Sequence, residues 1–114
     1  MIKLALKKSN SHWLEIDDVK FLVDYPTNQQ NVELQEIFLD TNVSADIRNL
    51  RYAKKFLKYT IKDWQGIDTK CMIINNELED ELWYALTNDI NQTLTIFGKI
   101  NDELSFTESD KKKS

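Results

Sequence analysis

Side chains that could act as a nucleophile, a base or a metal ligand are few in this chain of 114 residues. It has one histidine, His12, and one cysteine, Cys71. Catalysis by such groups requires neighbours that position and activate them. His12 lies between Ser11 and Trp13, and Lys70 is the basic residue beside Cys71. We interpret His12 as a solvated residue at the start of a strand and Cys71 as a small core residue.

Metal and phosphate sites are also disfavoured. A zinc site needs several closely spaced His or Cys ligands, which two such residues cannot supply. Two acidic groups are candidates for a hard cation: Asp17-Asp18 and the carboxylates of residues 77–81. The first is typical of a turn, and the second flanks a predicted helix start, where the helix dipole stabilises negative charge without a metal. Two glycines cannot readily build a phosphate loop. We therefore predict no catalytic residue, metal or cofactor, and a protein that is not an enzyme.

Composition and charge indicate one domain over residues 1–106, followed by a polar, mobile tail at 107–114. The 19 acidic residues outnumber the 15 basic ones, which disfavours nucleic acid as a partner. A lone thiol cannot form an internal disulfide and indicates a reducing compartment. No apolar run is long enough for a secretory signal or a membrane helix. We therefore expect a cytoplasmic protein that does not bind membranes.

Alternation of apolar and polar residues predicts β-strands in the N-terminal quarter. The segments concerned are Ile2 to Lys7, Trp13 to Ile16 and Val19 to Tyr25. Asp17-Asp18 separates the second and third as a turn, and Pro26 ends the third. These segments predict an antiparallel hairpin or a small sheet.

The rest of the chain has helical signals. Thr27 to Gln30 has the form of a capping box, in which a hydroxyl and an amide satisfy the first backbone donors. A long helix is predicted from a cap at Ser44 or Asp46 to a terminal glycine, Gly66. Its apolar face has helical spacing and comprises Ile47, Leu50, Leu57, Ile61 and Trp64.

Two further helices are predicted, one capped by Asn75 or Asn76 and one starting at Asn88. Together with the N-terminal strands they predict an α+β fold, in which a hairpin or small sheet precedes a bundle of three to four helices.

Aromatic side chains are the residues best suited to contact another protein, since Tyr and Trp combine an apolar body with a hydrogen-bonding group. Their simplest interpretation is that the tryptophans fill the core. Tyr52 and Tyr59, however, form a stripe displaced from the main apolar face of the long helix, which indicates either deep burial or a partner surface. The predicted protein interface comprises Tyr52, Phe56, Tyr59, Trp64 and Trp83.

One pattern resembles a known family. The basic segment RNLRYAKKFL at 48–57 leads into TIKDWQGI at 60–67, and a polar cap and two closing helices follow. Residues 13–23 have the form W-x-x-[IL]-x-[DG]-V-x-[FL]-x-V. This resembles small proteins from the tail-assembly gene clusters of tailed bacteriophages, in which a basic helix ends in a W-x-G-[IV] turn. The chain departs from that pattern in Asp17-Asp18, where a turn glycine is common, and in a short loop after Gly66.

The resemblance implies a tail assembly chaperone that acts as a homo-oligomer in the host cytoplasm. Such proteins bind the long, hydrophobic tape-measure protein, keep it soluble and help to recruit tail-tube subunits. In this family a longer form often arises by frameshifting, and codons for Lys111 to Lys113 could supply the slippery run. A solubilising basic tail is the simpler interpretation. Two other functions remain open: a structural virion component, such as a head–tail connector or tail protein, and a small phage inhibitor of a host defence enzyme.

Overall fold

The computed structural model describes the backbone of residues 11–113 and the side chains of residues 11–105. The predicted strand at 2–7 lies outside these residues, and the prediction of a mobile tail at 107–114 stays a prediction. The elements follow in the order β1 (His12–Ile16), β2 (Val19–Val23), α1 (Asn28–Ile37), α2 (Ala45–Thr60), β3 (Ile61–Gln65), β4 (Ile73–Ile74), β5 (Glu77–Leu78), α3 (Asp80–Leu86) and α4 (Ile90–Lys113). The fold is α+β, as the sequence predicts.

The main sheet has three antiparallel strands in the order β1-β2-β3. The predicted hairpin forms its first two strands, and Asp17 in the turn adopts a φ of 54°, a left-handed conformation that Asp tolerates better than most residues. Leu14 pairs with Phe21, and Phe21 pairs with Trp64 on β3. Residues paired in this way lie on the same face of the sheet. The sheet therefore presents a row of three large apolar side chains on one face.

The predicted capping box of α1 is confirmed. The backbone N–H of Gln30 donates to Oγ1 of Thr27 over 3.1 Å, and the N–H of Thr27 donates to Oε1 of Gln30 over 3.0 Å. The amide of the buried Gln30 side chain also donates to the carbonyl oxygen of Asn76 over 2.9 Å. The cap thus ties the start of α1 to the turn between β4 and β5.

The predicted end of the long helix at Gly66 is wrong, because α2 stops at Thr60 and the chain continues as β3. Ile61 and Trp64 were expected on the helix face. They pair instead with Val23 and Phe21 of β2. This pairing adds a third strand to the sheet while keeping both side chains buried, so it overrides the helical periodicity.

Two predicted helix caps are displaced. Asn75 and Asn76 form the turn of the small β4–β5 hairpin with φ values of 54° and 64°, the left-handed conformations that such two-residue turns require. The cap of α3 is Glu79, whose carboxylate accepts from the backbone of residues 81 and 82. At the start of α4 the cap is Asp89 rather than Asn88, since Oδ1 of Asp89 accepts from the N–H of Gln92 over 3.1 Å.

The core lies where α2 and α4 pack against the inner face of the sheet. Its fully buried side chains include Phe21, Val23, Leu57, Ile61 and Ile100. In the part of the chain that the structure describes, no helix has the length and apolar character needed to cross a membrane.

Candidate functional site

An apolar pocket of about 510 Å³ lies between one end of the sheet, the loop after β3, α3 and the first turns of α4. Its sheet wall consists of Ile16, Val19, Phe21 and Trp64. Its opposite wall consists of Ile67, Leu82, Leu86 and Ile96. The volume is within the range of roughly 300–1,000 Å³ that is typical of ligand pockets, which are also predominantly apolar.

Trp64 is the residue that joins the two walls. Its ring meets the ring of Phe21 edge-on, with centroids 6.4 Å apart and planes at 88°. Its indole Nε1–H donates to the carbonyl oxygen of Thr69 over 2.7 Å, which fastens the loop after β3 to the sheet. Because that hydrogen bond satisfies its polar atom, the indole adds only apolar surface to the pocket.

Gly66 allows this loop to approach the β1–β2 turn. Its φ is +92°, a left-handed value that favours glycine, and a Cβ atom there would lie 2.7 Å from the carbonyl oxygen of Asp18. Any side chain would therefore collide with backbone. The W-x-G-I motif of the sequence is thus a structural unit of the pocket, in which Trp64 and Ile67 line opposite walls and Gly66 sets the path between them.

The rim of the pocket is polar and open to solvent. Its exposed members are Asp17, Asp68, Thr69, Ala85, Gln92 and Thr95. Gln92 is fixed, since its side-chain amide donates to the carbonyl oxygen of Leu86 over 3.0 Å. The residues that line the pocket include two carboxylates but no lysine, arginine, histidine or cysteine. The arrangement suits contact with an apolar group near the rim's negative charge.

The two residues considered first for catalysis do not line this pocket. His12 is half-buried on β1, and its Nε2 lies 3.3 Å from Oε1 of Glu103 on α4. Cys71 is half-buried in the loop before β4. Its burial, with a smaller effect of the nearby Asp63 carboxylate, raises the pKa of the thiol to about 11. A thiol with so high a pKa is a poor nucleophile near neutral pH, because the thiolate is the reactive form.

Two carboxylates of the acidic group at residues 77–81 contact a buried lysine. Lys58 is 4 % exposed and donates to the carbonyl oxygen of Leu78 over 3.1 Å. Its ammonium also hydrogen bonds to the Asp80 carboxylate and lies 3.9 Å from Oε2 of Glu77. The ring centroid of Trp83 is 4.6 Å away, a cation–π contact. These carboxylates therefore pair with Lys58, and among the described residues no group of three or more His, Cys, Asp or Glu could hold a metal ion.

The five predicted interface residues do not form one exposed surface. Phe56, Tyr59 and Trp64 are 6 %, 3 % and 7 % exposed and belong to the core, so burial accounts for these rings. Tyr52 and Trp83 are half-buried. Of the two interpretations left open for the stripe on α2, deep burial is the one that the structure shows for Phe56 and Tyr59. Trp64 is the member of the set that lines the pocket.

Individual contacts confirm this placement. The hydroxyl of Tyr59 donates to Oε2 of Glu33 on α1 over 2.6 Å, and burial followed by this hydrogen bond raises the pKa of Tyr59. Tyr52 lies between the rings of Phe38 and Phe97, with centroids 4.9 and 5.9 Å away. The Nε1–H of Trp83 donates to the backbone of α2 over 2.7 Å.

Most pocket residues were not identified from the sequence. Asp17, Asp68, Leu86 and Ile96 come from four separate segments, and no spacing along the chain links them. The W-x-G-I motif was the one signal that pointed to the site, through Trp64.

Comparison with protein-family models, with curated proteins and with solved structures gives no match to this chain. The resemblance to tail-assembly proteins therefore rests on the sequence motifs alone.

Proposed function

We propose that this chain is a non-enzymatic protein-binding factor that accepts an apolar side chain of its partner in the pocket beside the sheet. The proposal is based on one observation, which is that the pocket combines apolar walls with a polar rim that is exposed to solvent. Large apolar anchors that enter such pockets supply most of the affinity in protein interfaces, because their burial removes apolar surface from water.

The resemblance to tail-assembly proteins supports a specific biological role for this binding activity. In the W-x-G-I turn, Trp64 and Ile67 line the pocket, and Gly66 sets the path of the backbone between them. We propose that the chain is a tail assembly chaperone, that it acts as a homo-oligomer in the host cytoplasm, and that its partner is the tape-measure protein. A long hydrophobic helix needs its apolar side chains covered until the tail tube encloses it, and an apolar pocket on an acidic protein suits that task.

Co-expression with the tape-measure protein of the same gene cluster tests the proposal. We expect a complex on size-exclusion chromatography and a larger soluble fraction of the tape-measure protein. Ala85→Phe should reduce complex formation about tenfold or more, because the new ring occupies the mouth of the pocket. Ala45→Phe is the matched control, since Ala45 is also an exposed helical alanine but lies on α2, outside the pocket.

Three results would contradict the proposal. A complex that forms equally well with Ala85→Phe would show that the pocket is not the contact surface. Mass spectrometry of purified particles would identify a structural virion component if the chain is present at stoichiometric amounts, since a chaperone leaves the finished tail. A host enzyme recovered in place of a tail protein would favour an inhibitor.

A further inference from the structure

We infer that the partner segment that enters the pocket carries lysine or arginine beside its apolar anchor. This inference rests on the proposed function, because it specifies the chemistry of the segment that the pocket accepts.

The charge of the rim is the first observation. Asp17 and Asp68 lie on the rim, and no basic side chain lines the pocket. The helix α2, which carries five of the 15 basic residues, contributes nothing to the pocket walls. An apolar anchor flanked by ammonium or guanidinium groups is therefore complementary to this site, and one flanked by carboxylates is repelled.

The second observation is that the backbone positions the two carboxylates. Asp17 belongs to the β1–β2 turn, and Asp68 belongs to the loop after β3. These two segments are in contact, since the position of a Cβ at Gly66 is 2.7 Å from the carbonyl oxygen of Asp18. The hydrogen bond from the Trp64 indole to Thr69 holds the same loop on its other side. A fixed backbone thus places both carboxylates at the rim of the pocket.

The expected size of the effect is modest. An ion pair at a solvent-exposed site changes affinity by about two- to fivefold, and added salt weakens it. Two carboxylates together should favour a basic over a neutral segment by about five- to twentyfold. The apolar anchor then supplies most of the affinity, and the rim selects the sign of the flanking charge.

Three fluorescent helical peptides of 14 residues provide the test. They share the same leucine positions and carry Lys, Gln or Glu beside them, and binding is measured by anisotropy at 50 and 300 mM NaCl. We expect affinity to fall in the order Lys, Gln, Glu at low salt and the differences to shrink at high salt. The double variant Asp17→Asn and Asp68→Asn should lose about fivefold or more for the Lys peptide and leave the Gln peptide unchanged. Asn tolerates the left-handed backbone at position 17, so the fold is preserved.

The control is Glu36→Gln with Asp102→Asn, which changes the net charge equally at exposed residues outside the pocket. We expect it to leave all three affinities unchanged. If the three peptides bind equally and the two double variants behave alike, while Ala85→Phe abolishes binding, the inference is overturned and the proposed function stands. If none of the peptides binds, or Ala85→Phe has no effect, the pocket is not the binding site and both proposals fail.

One other candidate occupant of the pocket, a segment of the chain itself, also combines apolar and basic side chains. Residues 2–8 of the chain, outside the described part, also combine aliphatic side chains with lysines. The full-length variant Leu4→Asp with Leu6→Asp removes that apolar character. If it binds all three peptides more tightly than the original chain does, the chain's own segment competes for the pocket, and the inference of an external basic partner is overturned. Unchanged affinities support it.

Discussion

The backbone of Gly66 approaches Asp18 so closely that a Cβ atom on the glycine would lie 2.7 Å from the aspartate carbonyl oxygen. This contact joins the end of β3 to the β1–β2 turn and closes one side of the pocket. It also explains why the position needs glycine, since φ is +92° there and a side chain has no space.

Substitution by alanine should change the free energy of unfolding in opposite directions at the two glycines of the chain. Gly66→Ala should lower the free energy of unfolding by about 2 kcal/mol or more, because it combines a strained φ with a collision against backbone. Gly98→Ala should raise it by about 1 kcal/mol, because that glycine is inside α4 and, beyond its chain neighbours and the backbone of its own helix, no atom lies within 4 Å of an added Cβ. Urea denaturation of the two variants measures both effects. Equal stabilities would contradict the described path of the loop after β3.

Phe56 should behave as a core residue and not as an interface residue. Phe56→Ala should cost about 3–5 kcal/mol of stability, the usual result of emptying a buried aromatic site. Tyr84→Ala is the control, since Tyr84 is 63 % exposed and its loss should change stability by no more than about 0.5 kcal/mol. Thermal or urea unfolding of the two variants measures both changes in stability. A stable Phe56→Ala variant that loses its partner would restore the aromatic interface predicted from the sequence.

Asp80 should titrate at an unusually low pH because of Lys58. The hydrogen bond to the Lys58 ammonium, followed by its charge, lowers the pKa of this carboxyl below its ordinary value of 3.8. A lowered pKa in the folded state stabilises the fold above the ordinary pKa, and the contribution is lost as the pH falls through the folded value. NMR titration of the carboxyl carbons should show Asp80 with a midpoint below its ordinary value of 3.8.

Lys58→Met tests the cause of that shift. The Asp80 midpoint should rise towards its ordinary value, because the partner ammonium is gone. Stability should fall by about 1–3 kcal/mol, since the carbonyl oxygen of Leu78 loses its donor inside the protein. An unchanged Asp80 midpoint in this variant would show that the two side chains are not paired in solution.

Cys71 should resist alkylation in the folded protein. With the thiol pKa raised to about 11 from an ordinary value of 9.0, the thiolate fraction at pH 8 falls roughly 100-fold. Iodoacetamide should therefore label the native chain far more slowly than the chain unfolded in urea, and the single cysteine makes the readout unambiguous. Equal rates in the two states would contradict the burial of the thiol.

The same shift has a consequence for stability. The pKa of Cys71 is higher in the folded state than in the unfolded state. The contribution of Cys71 to the stability of the fold is therefore fully present below about pH 9 and is lost as the pH rises towards about 11. Cys71→Ala should remove this part of the alkaline dependence, which urea denaturation between about pH 8 and about pH 11 can measure.

Local sequence signals determined the elements whose partners lie a few residues apart. Apolar alternation in residues 13–23 was sufficient to predict the first hairpin, and Thr27 with Gln30 was sufficient to predict the start of α1. In both cases the interactions that define the element are made within the segment itself. The α+β class followed from these signals and from the helical spacing of the remainder.

Tertiary structure decided where α2 ends and which residues form the pocket. Ile61 and Trp64 continue the helical spacing of α2, but pairing with Val23 and Phe21 makes them a strand, and only the folded chain supplies that partner. The pocket combines residues from the β1–β2 hairpin, β3 and its loop, α3 and α4. Which apolar side chains line the pocket depends on the space that remains between the packed helices and strands. Tertiary packing sets that space, and the spacing of apolar residues along the chain does not reveal it.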